Sequence, residues 1–168
     1  TLTDADGEGR RLFQRWCEDA GMTVKVDRMG TMFARREGTD PSLPPVLIGS
    51  HLDTQPTGGK FDGALGVMAA LEVVRSLNDL DIKTRHPIEI CMWTNEEGSR
   101  FAPAMIASGV FAGVIPLDEA LATRDPEGKV FGEELNRIGY SGPEKVGGRP
   151  IHALFELHIE QGPILEEE

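Results

Sequence analysis

Two apolar runs, VLIG at 46–49 and IEICMW at 88–93, flank a third, ALGVMAALEVVRSL at 64–77, which is apolar on most sides of a helix. Short apolar runs bounded by proline and glycine read as buried strands, and a longer one between them reads as a buried helix. A strand, a helix and a strand joined by short connections put the two strands parallel and the helix against the sheet. A third strand, IHALFELHI at 151–159, follows the Gly/Pro-rich loop SGPEKVGGRP. The sequence therefore predicts an α/β fold: a three-layer, mostly parallel sheet with flanking helices.

The remaining segments fit around that unit. Residues 5–20 place Leu12, Phe13, Trp16, Cys17 and Ala20 on one helical face, with Gly21 as the stop. Val24 and Val26 before the Gly30-Thr31 turn, and Met32, Phe33 and Ala34 after it, predict a β-hairpin. Helices are expected at 63–80, 101–113, 117–124 and 130–138, and QGPILEEE is expected to open another. No internal repeat or domain boundary is visible, so 1–168 reads as one unit. Its start at Thr1 and its end in EEE suggest a fragment cut at both ends.

Net charge is −11 and no basic stripe is interleaved with aromatics. Nucleic acid and anionic membrane both select basic patches, so neither is expected as a partner. No run reaches the roughly 18 apolar residues that would mark a membrane span. Two distant cysteines, Cys17 and Cys91, read as free thiols in a reducing compartment, the cytoplasm. Cys91 lies inside an apolar run and reads as core.

Ligands in parallel α/β sheets bind outside the carboxyl ends of the strands. Each of the three predicted strands ends in a polar cluster: His51-Leu-Asp53, Asn95-Glu96-Glu97, and His158-Ile-Glu160-Gln161. Asp62 lies on the loop after the first. Parallel strands bring these ends together, so His51, Asp62, Glu96, Glu97 and His158 can converge although they are far apart in sequence. Imidazole and carboxylate in one place suit Zn²⁺, Co²⁺, Ni²⁺ or Mn²⁺. His51 and Asp53 are two apart, so on an extended segment they face the same way, and Asp53 can hold the second imidazole nitrogen. Of the two glutamates, one can bind metal while its neighbour acts on water; a carboxylate bridging two ions would make a two-metal hydrolytic site.

Each part alone has a plainer reading. An HxD is common, Glu-Glu pairs are mostly solvated, and a histidine on an apolar strand is commonly a core residue. His86 and His152 are read as structural. PTGGKFDG lacks the Ser or Thr and the glycine spacing of a phosphate loop. No G-x-S-x-G is present. Adjacent Glu96 and Glu97 are too close to straddle a sugar bond.

Four ordered motifs, GSHLDT, GGKFDGALGV, EEGSRF and HIEQGP, resemble the N-carbamoyl-amino-acid hydrolase family. That family takes in L-carbamoylases, allantoate amidohydrolases and β-ureidopropionases, within the dinuclear zinc aminoacylase/carboxypeptidase superfamily. The resemblance runs over nearly the whole chain and implies roles. Asp62 would be the bridging carboxylate, with His51 and His158 completing one ion. Glu97 would bind the other ion, Glu96 would be the general base, and Asp53 would orient His51. Gln161 would be a substrate-contacting amide near the ureido group. It implies two divalent ions (Zn, or Mn, Co or Ni), a small-molecule ureido substrate and a homodimeric parent. The last metal histidine and the lid and dimerisation domain would lie beyond Glu168, so the 168 residues alone are expected to be inactive. Two rival readings remain open at this point: an aminoacylase or dipeptidase using the same ions, and a scaffold that keeps only the fold.

Overall fold

The structure, a computed structural model, describes residues 1–167. Its elements are α1 (Asp4–Asp19), β1 (Thr23–Val26), β2 (Met32–Arg36), β3 (Val46–His51), α2 (Ala64–Asp79), β4 (Ile88–Trp93), α3 (Ile106–Phe111), α4 (Leu117–Leu121), α5 (Phe131–Arg137) and β5 (Ala153–Phe155). The five strands form one sheet in the order β1-β2-β4-β3-β5. β3 pairs in parallel with both β4 and β5. The hairpin β1-β2 joins by antiparallel pairing of β2 to β4, so the sheet is mixed. Its parallel part is the part that carries the polar strand ends.

The period-two alternation of β4 divides the core. Ile88, Ile90 and Met92 face α1 and α2 in a large cluster with Phe13, Cys17, Val67, Leu71 and Val74. Cys91 and Trp93 turn to the other face, where they cluster with Phe33 and Leu47 against Phe111. Burial pushes the Cys17 and Cys91 thiols up to about 12, so both stay protonated core residues, as read from the sequence.

Three local expectations are corrected. The predicted strand 151–159 shrinks to Ala153–Phe155, because only Val46–Ile48 of β3 pairs with it and the segment after it is mostly exposed. The predicted helix 101–113 begins only at Ile106, since Met105 before it is left-handed at φ 55°. QGPILEEE forms bends and a turn instead of opening a helix; its final residue, Glu168, lies outside the described residues.

Candidate metal centre

The register of the parallel strands sets the site. Ile48 pairs with Phe155, so His51 and His158, each three residues further on, reach the same level. His51 pairs with Trp93, and Glu96 and Glu97 follow just beyond the end of β4. Asp62 stands directly before α2, where the positive end of a helix favours a carboxylate. Gly63 separates the two at φ 67°, and a Cβ there would come within 2.4 Å of the His51 ring. Only glycine takes that backbone conformation cheaply and leaves room for the imidazole.

Both imidazoles are oriented by backbone carbonyls. His51 Nδ1 donates to the Asp53 carbonyl at 2.8 Å, and His158 Nδ1 donates to the Ile159 carbonyl at 2.8 Å. In neutral rings those bonds leave each Nε2 as a bare lone pair. The two Nε2 atoms nonetheless face each other at 3.4 Å, and neither can donate to the other. Asp62 Oδ1 lies 3.2 Å from His158 Nε2 and 4.0 Å from His51 Nε2, is buried, and makes no hydrogen bond. Three acceptors around one point repel unless a cation lies between them. A tetrahedral ion with bonds of about 2.0–2.1 Å spaces its ligand atoms by roughly 3.3 Å, close to these separations. His51, Asp62 and His158 therefore fit a divalent metal ion.

A second group of donors joins His51 with Glu96 and Glu97. The family resemblance implies that Glu97 pairs with Asp62 instead. Glu96 Oε2 lies 3.4 Å from His51 Nε2, so the residue expected as base also stands within reach of the first ion. Burial raises the Glu96 carboxyl above its ordinary range; His51 opposes this, while Glu97, Asp53 and Glu156 add to it. Glu97 Oε1 is buried without a partner. Gln161 donates its amide to Asp62 Oδ2, leaving Oδ1 as that residue's open oxygen.

Asp53 differs in its atoms from the expected arrangement. Its carbonyl, not its carboxylate, holds His51. The carboxylate is 3.9 Å from His51 Nδ1 and accepts the backbone N–H groups of Glu96 at 3.0 Å and Glu97 at 3.1 Å. Sequence reasoning also passed over Gln55, which donates to Glu97, and Ser50, which donates to Glu156 at 2.5 Å and ties β3 to the segment after β5. Nothing in local spacing marks these contacts. Arg100, within EEGSRF, binds Asp125, Glu134 and the carbonyls of Thr1 and Leu2, anchoring that loop from outside the site.

A family model describing peptidase family M20/M25/M40 matches residues 47–168. The N-carbamoyl-L-amino-acid amidohydrolase of Rhizobium meliloti is 71% identical over 168 residues, all of this chain and 40% of that protein. The ureidoglycolate hydrolase of Arabidopsis thaliana is 38% identical over 177 residues, 99% of this chain and 37% of that one. Among solved structures, an amidase of the hydantoinase/carbamoylase family from Burkholderia multivorans aligns with a TM-score of 0.98 at 62% identity, covering 99% of this chain and 41% of its own. The chain thus spans about two fifths of the length of these relatives.

Proposed function

The chain belongs to peptidase family M20/M25/M40, and from that premise we propose that it carries the metal-holding residues of an amidohydrolase that cleaves the ureido C–N bond of an N-carbamoyl-L-amino acid. The observation that carries the hydrolytic reading is the pair of bare Nε2 atoms facing the partnerless Asp62 Oδ1. The substrate class is supported by the 71% identity to an N-carbamoyl-L-amino-acid amidohydrolase.

Two divalent ions, Zn²⁺ or Mn²⁺, Co²⁺ or Ni²⁺, would complete the site. His51, Asp62 and His158 would hold one, and Glu97 would hold the other, with Asp62 reaching it once Gln161 releases Oδ2. Such ions act as Lewis acids on the scissile carbonyl and make a water more acidic. Glu96 takes the proton of the attacking water and returns it to the departing nitrogen. The water oxygen bonds to the ureido carbon as one of its two C–N bonds breaks; the carbamic acid so formed then loses CO₂ by breaking the other, so ammonia, CO₂ and the free amino acid result. Asp53 holds the backbone that carries Glu96 and Glu97, and Gln161 meets the ureido group from beside Asp62. A cytoplasmic homodimer is the assembly this reading takes, the compartment being supported by the two buried free thiols.

The test is ammonia release by the polypeptide that contains this chain, loaded with each metal and offered N-carbamoyl-L-amino acids, allantoate and β-ureidopropionate. Metal-dependent release from the first class is expected. Turnover of N-acetyl-amino acids or dipeptides alone would replace the proposal with an aminoacylase or dipeptidase.

A further inference from the structure

The loop after β3 grips the loop after β4 at three points, and one of them ends on a candidate metal ligand. Asp53 accepts the N–H groups of Glu96 and Glu97. Ser99 Oγ approaches the Thr54 carbonyl at 3.5 Å. Gln55 Nε2 donates to Glu97 Oε2 at 2.8 Å. The first two contacts fix backbone; only the third fixes the Glu97 side chain. Glu97 Oε1 is left buried without a partner. A carboxylate with one oxygen occupied by a donor and the other bare offers a single lone-pair direction to a cation.

We propose that Gln55 is the positioning residue of Glu97: its amide holds Oε2, aims Oε1 at the metal, and makes Glu97 a one-oxygen ligand. This rests on the metal-site reading above but not on the ureido substrate. A glutamate side chain freed of that bond must give up its rotamer freedom when the ion binds, and it can turn both oxygens to the metal or neither. A hydrogen-bonding partner outside the ligand set removes that cost in advance and also tunes the donor strength of the ligand. Gln55 itself is exposed and packs into no core cluster, so its removal leaves the fold standing.

The experiment is a double-mutant cycle read by metal affinity. Apo protein in four forms, wild type, Gln55→Leu, Glu97→Gln and the double variant, is titrated with Zn²⁺ and with Co²⁺ against a chromogenic chelator. Gln55→Leu should weaken binding by about 10- to 100-fold, the usual cost of losing a partner that orients a ligand. In the Glu97→Gln background the same substitution should have no further effect, because there is no carboxylate left to aim. Thermal unfolding of the metal-free forms should be unchanged by Gln55→Leu. Equal affinities for wild type and Gln55→Leu would overturn the inference while leaving the metal site intact, as would an equal loss in both backgrounds. A wild type that binds neither ion would overturn the metal reading itself, and Gln55 with it.

Discussion

His51 and His158 present their Nε2 atoms to each other at 3.4 Å, each ring fixed from behind by a carbonyl oxygen on its Nδ1. The arrangement is a repulsive one for the polypeptide alone. Its cost is recovered when a cation enters, so the site couples metal binding to stability.

That coupling gives the first prediction. Zn²⁺ at a hundred times its dissociation constant should stabilise the wild-type chain by about 2.7 kcal/mol, and a chelator should reverse the gain. His158→Ala should abolish most of it, since His158 is the exposed member and its removal disturbs no core. Thermal melts with and without metal read the difference. A metal-dependent gain that survives in His158→Ala would remove His158 from the ligand set.

Glu96→Gln tests the base. The amide is isosteric and cannot take a proton, so kcat of the polypeptide containing this chain should fall by about 10²- to 10⁴-fold. Metal content should stay at the wild-type value. Because Glu96 Oε2 also lies 3.4 Å from His51 Nε2, loss of metal together with activity would make it a ligand instead.

Gly63→Ala should damage the site from the backbone. The new Cβ would meet His51 Cε1 and Nδ1 at 2.4 Å, and φ 67° disfavours any side chain. A cost of about 1–3 kcal/mol is expected, with weaker metal binding because the imidazole must move. Denaturant unfolding and a metal titration check the two halves separately. A variant with normal stability and normal affinity would show that the loop relaxes freely.

Asp27 sets a pH dependence away from the site. It is fully buried, its Oδ1 accepts the N–H groups of Met29 and Thr31 at 2.9 Å, and its Oδ2 has no partner. Burial pushes its carboxyl from the ordinary 3.8 up to about 6, the two backbone donors and the cations Arg149 and Arg10 opposing. The folded chain therefore keeps a proton that the unfolded chain releases. This group costs no stability below about pH 4, and stability falls as pH rises through about 6. Asp27→Asn should flatten that fall, so that its stability at pH 7, relative to its own at pH 4.5, gains about 1–3 kcal/mol over wild type. Urea melts at the two pH values measure it; parallel profiles for the two proteins would assign the titration to another residue.

The carbamoylase resemblance carried by GSHLDT, GGKFDGALGV, EEGSRF and HIEQGP is borne out by the relatives that align along the chain. Among the elements, β3, α2, β4 and the hairpin were legible because each is written in a local period, two for a strand and 3.6 for a helix. The gathering of His51, Asp62, Glu96, Glu97 and His158, in two groups that share His51, followed from one further rule, that parallel strands share a carboxyl end. The end of the chain was not legible in that way. IHALFELHI has the composition of a strand, yet it pairs over three residues, since strand length is set by the partner available and not by propensity.

What the sequence alone determined is therefore the set of groups and the edge of the sheet on which they gather. Which atom does what was decided by tertiary structure. The Asp53 carbonyl took the imidazole and its carboxylate took two amides, β2 paired with the far side of β4, and an unremarked glutamine reached Glu97 across 42 positions. Those outcomes depend on backbone direction and rotamer at the end of a strand, where hydrogen bonds of about 3 Å discriminate between atoms of one residue. Periodicity fixes the face on which a side chain lies; only the packed chain fixes where its oxygens point.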